Sequence, residues 1–242
     1  MERDLRPAFY ALRTGGWRDY LTLLHPPYTA WHLSYVVLGA ASAPTLRLDR
    51  LGGVVLAFFL AVGLAAHSLD ELNGRPLKTR VPSGGLVAIA ALSLLGALAI
   101  GVIAIATISL WAIPFVVAGP FLVLAYNLEW FKGRFHSDAW FAFGWGAFPA
   151  LVGYWASAER LDVGAIIVAA ACFVLSLVQR VLSTQVRRLR RRSLAASGKV
   201  EFQDGEVDAI TVPYLLTVPE RALRLLGVFV VLIALGLLVA RR

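Results

Sequence analysis

The sequence has little charge and almost no cysteine. Charged residues make up 16% of the 242 residues, hydrophobic residues make up 59%, and the mean hydropathy is +0.72. No charged residue occurs anywhere in the segment 81–128. An ordinary soluble domain is therefore excluded, and the chain is expected to be an integral membrane protein. The single cysteine, Cys172, can form no internal disulfide and is expected to be a packing residue.

Motifs of common soluble enzymes are also missing. The sequence contains no glycine-rich nucleotide-binding loop, no cysteine–histidine metal signature and no nucleophile elbow around a serine. The acids between Glu201 and Asp208 lack the ligand spacing of an EF-hand and are interpreted as a solvated stretch. Residues 1–27 lack the apolar core of a signal peptide. Their mixture of aromatic residues and arginines predicts an interfacial N-terminal segment, followed by a bundle over residues 28–242.

The lengths of the uncharged segments predict about seven membrane-spanning helices. A hydrocarbon core of ~30 Å requires about 20 residues at 1.5 Å per residue. The segment 81–128 is long enough for two spans with a turn near residues 107–114. The predicted fold class is therefore an all-α, polytopic transmembrane helical bundle. Its other predicted spans cover residues 28–46, 51–69, 139–158, 163–183 and 225–240.

The distribution of lysine and arginine predicts the orientation. With the N-terminus inside, all but five of the 23 basic residues lie on the cytoplasmic side, where such residues are retained. The C-terminus is then predicted to lie outside. Basic loops at an anionic inner leaflet account for the formal charge of +8 and the pI near 10.1, so no nucleic-acid partner is predicted. The five basic residues assigned to the outer side are Arg47, Arg50, Arg160, Arg241 and Arg242.

Two carboxylates, Asp70 and Glu71, lie where the predicted second span meets water. If the helix continues for one more turn, both lie on the face of His67, at i+3 and i+4. Paired acids followed by cations favour an anionic, metal-bound ligand such as a diphosphate. A solvated helix end with a basic loop has the same composition, so that alternative stays open. The candidate ligand-binding residues of this segment are His67, Asp70, Glu71, Asn73, Arg75, Lys78 and Arg80.

Two other predicted cytoplasmic helix ends carry polar residues. A cation such as Arg180, close to the membrane boundary, needs a wet cavity, a partner or a snorkelling conformation. Asp70 or Glu71 would be a natural partner, whereas snorkelling would make Arg180 the first member of the basic cluster that ends at Arg192. Aromatic residues at the exit of the fourth span are typical of a membrane anchor. The candidate phosphate-binding residues of these two helix ends are Asn127, Lys132, Arg134, Gln179 and Arg180.

The order of these features resembles the UbiA superfamily of intramembrane prenyltransferases. The resemblance is carried by the lead-in Leu24-His25-Pro26-Pro27, the acidic end of the second span, Arg75-Pro76, Pro82-Ser83-Gly84 and the glycine-rich fifth span. These enzymes bury a polyprenyl diphosphate in a helical bundle, hold it through two Asp-rich motifs and Mg²⁺, and transfer the prenyl group to an aromatic or lipid acceptor. The resemblance implies a UbiA-like fold, membrane lipid and isoprenoid diphosphate as partners, and a catalytic role for Asp70 and Glu71.

The chain departs from the family pattern in three ways. The family has nine spans, three Asp residues in its first motif and a second acidic motif on the sixth span. Here the third acid is replaced near Arg75, and the sixth span ends in Gln179 and Arg180. One Mg²⁺ at Asp70 and Glu71 is therefore expected, with the tip of Arg180 approaching the acid pair across a shared cavity. The open alternatives are a UbiA-type terpene cyclase and a non-catalytic lipid-binding or assembly protein.

Overall fold

In the computed structural model, which describes residues 6–241, the chain forms a bundle of helices with one small β-hairpin. The predicted all-α bundle is confirmed. Residues 1–5 of the predicted interfacial segment, and Arg242, lie outside the described range. The elements are α1 (Trp17–Leu23), α2 (Pro26–Ser42), α3 (Leu48–Phe58), α4 (His67–Leu72), α5 (Ser83–Thr107), α6 (Ile113–Asn127), α7 (Trp130–Gly133), α8 (Asp138–Ala142), α9 (Phe148–Ala158), α10 (Val163–Arg192), β1 (Lys199–Glu201), β2 (Val207–Ala209) and α11 (Val212–Ala240).

Two long helices change their winding within the bundle. The π-helical segment Phe59–Ala66 joins α3 to α4, and a second π-helical segment, Phe143–Ala147, joins α8 to α9. A short 3₁₀ turn, Leu110–Ala112, precedes α6. Such π-helical turns are rare and often occur at functional sites. Both segments lead directly into residues that line the cavities described below.

Within residues 6–241, five helices are long and apolar enough to span a membrane, as expected of an integral membrane protein. The uncharged segment 81–128 divides at Ile108 and Ser109, inside the predicted turn. The last span is 29 residues long and begins at Val212, where the side chain of Thr211 caps the helix, so the predicted start at residue 225 was wrong. The five helices are Leu48–Leu72, Ser83–Thr107, Leu110–Asn127, Val163–Arg192 and Val212–Ala240.

The predicted count of seven spans is not met. The predicted spans 28–46 and 139–158 both form helices, but neither has the length and hydropathy of the other five. Helix α2 has 17 residues, which gives about 25 Å and falls short of a ~30 Å core. The helical run 138–158 is long enough, but its glycine, proline, tryptophan and tyrosine residues lower its hydropathy.

Helices α2 and α9 form the packed centre of the bundle. Trp31 and Tyr35 of α2 are fully buried. A Cβ added to Gly39 would overlap the carbonyl group of Ala150, and one added to Gly153 would overlap the backbone of α2. Small residues allow this close approach of two backbones, as in membrane helix pairs. Because the other helices cover α2 and α9, the side chains of this pair need not be aliphatic. The mean hydropathy of the two helices is therefore lower than that of the five helices that are apolar enough to span a membrane.

Candidate functional site

A polar cavity of about 220 Å³ lies at one end of the bundle, where α2 begins and α10 ends. Residues 7–10 and helices α2, α4, α6, α8 and α10 contribute to its wall. All four histidines of the chain lie on this wall. The polar lining residues are Tyr10, His25, Tyr28, His32, His67, Asp70, Tyr126, Asn127, His136, Gln179, Arg180, Ser183, Arg187 and Arg191.

An apolar cavity of about 130 Å³ lies deeper among α3, α5, α6 and α9. Its wall consists mainly of aliphatic and aromatic side chains, including Leu94, Phe115 and Phe148. Trp145, in the second π-helical segment, lines both cavities. Its ring stacks on Phe141 with centroids 5.6 Å apart. Trp145 thus lies between the two cavities and contributes to the wall of each.

Three arginines on one face of α10 give the polar cavity an excess of positive charge. Arg180, Arg187 and Arg191 are separated by seven and four residues, so they share a helical face. Nε of Arg180 donates to the carboxylate of Asp138 at 2.6 Å. Within residues 6–241, neither of the other two arginines forms a salt bridge, and Asp70 is the one carboxylate on the cavity wall. This arrangement favours an anionic ligand with several phosphate oxygens.

The predicted acid pair is divided between two environments. Asp70 lines the polar cavity, whereas Glu71 is fully buried outside it. The Glu71 carboxylate accepts hydrogen bonds from the backbone N–H of Leu77 at 2.9 Å, and from the N–H and hydroxyl of Thr79, both at 2.8 Å. The loop 73–82 folds back over the end of α4, so its donors already occupy the Glu71 carboxylate. Glu71 is therefore not available to a ligand in the cavity. The carboxylate of Glu71 thus stabilises the loop.

The basic residues that follow the acid pair are also held away from the cavity wall. Arg75 donates to the carbonyl of Val81 at 2.5 Å and to the Ser83 hydroxyl at 2.7 Å. The Arg80 backbone N–H donates to Asp19 of α1 at 2.9 Å. Asn73, Arg75, Lys78, Arg80, Lys132 and Arg134 do not line the polar cavity. The predicted residues that the fold does bring together there are His67, Asp70, Asn127, Gln179 and Arg180.

The expected shared cavity between Arg180 and the acid pair is confirmed for Asp70 alone. The direct ion-pair partner of Arg180 is Asp138 of α8, and its guanidinium also stacks over Phe141 at 5.2 Å. Sequence reasoning missed Arg187 and Arg191 as cavity residues. The helical spacing that singled out Arg180 also places both of them on its face, and it would have found them.

Three histidines of the cavity have a defined hydrogen-bonding pattern, and in the first of them Nδ1 of His67 lies 3.2 Å from the carbonyl oxygen of Gly63. Nδ1 of His32 lies 2.9 Å from the carbonyl oxygen of Trp145, and Nδ1 of His136 lies 3.0 Å from that of Tyr126. A carbonyl oxygen only accepts hydrogen bonds, so each Nδ1 carries a proton and donates it. In the neutral ring, Nε2 then carries the lone pair and is a hydrogen-bond acceptor.

A stacked pair of histidines lies beside the N-terminal segment. The rings of His25 and His67 are 4.0 Å apart and nearly parallel, and the Tyr10 hydroxyl lies 2.9 Å from Nδ1 of His25. Burial, followed by the proximity of His67, holds the pKa of His25 well below its ordinary value. The His25 ring is therefore neutral near neutral pH.

The donor set of the cavity does not by itself build the expected Mg²⁺ site. Mg²⁺ is usually held by one or two carboxylates together with waters and substrate phosphates. Among residues 6–241, Asp70 is the single carboxylate on the wall, and Glu71 is engaged by the loop. Within the described part of the chain, no group of three or more His, Cys, Asp or Glu side chains is placed to hold a metal ion. The cations that the chain itself supplies are guanidinium groups.

No protein-family model, curated protein or solved structure matches this chain. The resemblance to the UbiA superfamily therefore stays a prediction based on the residues quoted above.

Proposed function

We propose that the protein binds an isoprenoid diphosphate and transfers its prenyl group to an acceptor, in the manner of a UbiA-like prenyltransferase. The observation that carries this proposal is the position of Trp145 on the walls of both cavities. A ligand that passes this side chain has one part among arginines and another among aliphatic and aromatic groups. An isoprenoid diphosphate combines a multiply charged head with a hydrocarbon chain in one molecule, so it matches both environments.

The arginines of α10 have a direct role in the proposed reaction. The bond between the allylic carbon and the diphosphate oxygen breaks, and its electron pair stays on the diphosphate. Preorganised guanidinium groups in a poorly hydrated cavity stabilise that developing negative charge. Arg187 and Arg191 are the best placed, since neither forms a salt bridge within residues 6–241. Trp145, which lines both cavities, stabilises the allylic cation with its indole ring.

The test is an assay with purified protein and a panel of prenyl diphosphates of increasing chain length, with and without Mg²⁺. Binding and the release of inorganic diphosphate are measured separately, and organic products are identified by mass spectrometry. Transfer predicts diphosphate release that depends on an acceptor. Release with a cyclic hydrocarbon as the product would favour the cyclase, and binding without release would favour the non-catalytic lipid-binding protein. Absence of binding across the whole panel would overturn the proposal.

We also propose that the polar cavity faces the cytoplasm, as the distribution of basic residues predicts. Leu194, directly after α10 at the cavity end of the bundle, is fully exposed, while Cys172 is buried. A Leu194→Cys variant should therefore react with a membrane-impermeant thiol reagent in inside-out vesicles and stay unlabelled in right-side-out vesicles. The opposite pattern would reverse the orientation.

A further inference from the structure

One buried carboxylate joins helix α1 to the loop 73–82. The two oxygens of Asp19 accept hydrogen bonds from the backbone N–H of Gly15 and from that of Arg80, both at 2.9 Å. Asp19 is buried, so its charge is used inside the protein and is not presented at the surface. The carboxylate therefore holds the helix and the loop together as one surface.

The inner face of α1 lies at the level where a membrane span begins. Leu23 of α1 is buried against Val81 and Leu86. Leu86 belongs to the first turn of α5, which is long and apolar enough to span a membrane. The next residue, Val87, is 54% exposed, so it faces lipid when the helix is inserted. Helix α1 is thus placed beside the boundary between hydrocarbon and headgroups.

The outer face of α1 has the composition of a membrane interface. Trp17, Tyr20 and Leu21 are spaced at i, i+3 and i+4, and their exposed fractions are 65%, 51% and 42%. The guanidinium group of Arg18 lies over the ring of Trp17 at 5.7 Å. Tryptophan and tyrosine are enriched where a membrane meets water, and amphipathic helices that lie in this region add cations beside their apolar face.

The same surface exposes its cations and buries its acids. The segments 13–24 and 71–82 contain two acids, Asp19 and Glu71, and both are buried and accept hydrogen bonds. Four basic residues of these segments are exposed, and none of them forms a salt bridge within residues 6–241. These residues are Arg13, Arg18, Lys78 and Arg80.

We infer that α1 and the loop 73–82 form a docking surface for anionic phospholipids, which binds their headgroups in the leaflet at the cavity end of the bundle. The four cations contact lipid phosphates, while the aromatic side chains of α1 enter the interfacial region. An acidic soluble protein would match the cations as well. The surface adjoins the lipid-facing side of α5, however, and this continuity favours the membrane. The inference does not depend on the proposed function.

Bound headgroups should also hold the loop 73–82 in place. Leu77 and Thr79 are buried and donate to the carboxylate of Glu71, whereas Lys78 and Arg80 are exposed on the opposite side of the loop. The loop is therefore held by Glu71 from within and by lipid phosphates from outside. Anionic lipid should make it less accessible than zwitterionic lipid does.

The first arm of the test compares two double variants in nanodiscs that contain equal amounts of phosphatidylglycerol and phosphatidylcholine. Arg18→Gln with Arg80→Gln removes two cations of the surface. Arg188→Gln with Arg192→Gln is the control, because it removes two exposed cations from the end of α10. Native mass spectrometry counts the phospholipids of each kind that stay bound.

The wild type and the control should retain phosphatidylglycerol in preference to phosphatidylcholine. The surface variant should lower that preference about tenfold, the effect expected when two cations leave an anionic headgroup region. Equal ratios in the two double variants would show that the net charge alone attracts the lipid, and this would overturn the docking surface. Absence of any preference in the wild type would overturn it too and favour a soluble acidic partner.

The second arm uses the wild type alone, so its result does not depend on the folding of a variant. Trypsin is added to nanodiscs of phosphatidylcholine with and without phosphatidylglycerol, and the cleavage rates after Lys78 and Arg80 are divided by the rate after Lys199. Lys199 lies in the exposed hairpin and corrects for any general effect of the lipid on the protease. Phosphatidylglycerol should lower this ratio severalfold. An unchanged ratio would overturn the part of the loop in the surface.

Discussion

Asp70 and Glu71 are consecutive residues, yet their carboxylates serve different parts of the molecule. Asp70 lines the polar cavity, while Glu71 is fully buried and receives three hydrogen bonds from Leu77 and Thr79. Conservative substitutions of the two acids should therefore change different properties. Substitution of Glu71 should change the free energy of unfolding, and substitution of Asp70 should change the rate of turnover.

Glu71→Gln should destabilise the protein by about 2 kcal/mol, because the amide NH₂ replaces an oxygen that accepts from backbone and hydroxyl donors. The measurement is chemical unfolding in detergent micelles. Trypsin should also cleave faster after Lys78 and Arg80, which lie in the loop that Glu71 holds. Glu201→Gln in the exposed hairpin is the control for an ordinary acid-to-amide change. Unchanged unfolding and cleavage in Glu71→Gln would contradict the structural role.

Asp70→Asn should leave the protein folded and lower turnover by about 100-fold or more, because the cavity loses the one carboxylate that residues 6–241 place on its wall. Affinity for a prenyl diphosphate should stay constant or rise, since the cavity also loses a negative charge beside the arginines. Asp204→Asn, at an exposed position, provides the control. Weaker binding of the diphosphate in the presence of Mg²⁺ would instead show that Asp70 anchors the ion expected from the sequence.

Arg187→Gln should weaken diphosphate binding by about tenfold or more, the effect of losing one charge-assisted hydrogen bond. Arg188→Gln is a closely matched control, because Arg188 is the next residue of α10 but is exposed and does not line the cavity. Both variants remove one charge from the same basic cluster, so membrane insertion should be equally preserved. Binding is measured by equilibrium dialysis with labelled substrate. Equal affinities in the two variants would remove Arg187 from the site.

Ala97→Phe should reduce the affinity for long prenyl chains more than for short ones, because the added ring fills part of the apolar cavity. A cavity of about 130 Å³ has little room for both a phenyl ring and a hydrocarbon chain. Ala99→Phe is the control, since Ala99 lies on the same helix at an exposed position outside the cavity. The measurement is the ratio of dissociation constants along the chain-length panel. A uniform loss across all lengths would place the chain elsewhere.

His25→Asn should reduce the acid sensitivity of the fold. Burial holds the pKa of His25 well below the ordinary value of 6.5, so the unfolded chain binds its proton more readily than the native state does. The free energy of unfolding then decreases as the pH falls below about 6.5, by at most about 1.4 kcal/mol per pH unit for this group. Asparagine tolerates the left-handed backbone at this position, where φ is +48°.

The measurement for His25→Asn is the unfolding free energy between pH 7.5 and pH 5, compared with that of the wild type. The two curves should converge as the pH falls, because the variant lacks one group whose protonation favours the unfolded chain. The buried His32 and His67 keep their own contributions in both proteins. Parallel curves would show that His25 is protonated equally in the folded and unfolded states.

Much of the fold could be predicted from the sequence, because a helix that crosses the lipid needs about 20 predominantly apolar residues. The break in the segment 81–128 could be placed by length alone, since one uninterrupted helix would far exceed the bilayer. The same rule predicted spans at 28–46 and 139–158, but the helices α2 and α9 that form there lack the length and hydropathy of the other five. Both helices are surrounded by protein, and they pack closely at Trp31, Tyr35 and Gly153. Hydropathy therefore says little about the position of these two helices.

The site was predictable where helical spacing decides it, and unpredictable where the folded loops decide it. Spacing predicted that His67 and Asp70 share a helical face, and the need of Arg180 for an anionic partner predicted its position near them; all three line one cavity. It could not show that the loop 73–82 folds back onto Glu71, because that contact depends on tertiary structure. Nor did the sequence show that Asp138, rather than an acid of α4, pairs with Arg180. The basic run from Arg187 to Arg192 has the composition of an ordinary membrane-flanking cluster. The sequence therefore did not show that Arg187 and Arg191 line the cavity.

The π-helical segments make the site sensitive to chain length within the helices themselves. Phe59–Ala66 lies immediately before α4, and Phe143–Ala147 contains Trp145. Deleting one residue from such a segment removes the residue that the wide turn accommodates and returns the helix to regular α-helical winding. A single in-frame codon deletion near residue 60 would therefore remove the π-helical turn that precedes Asp70 while every residue of the site stayed intact. Function in this protein is thus encoded partly in the number of residues between helix ends, a property that substitutions alone do not change.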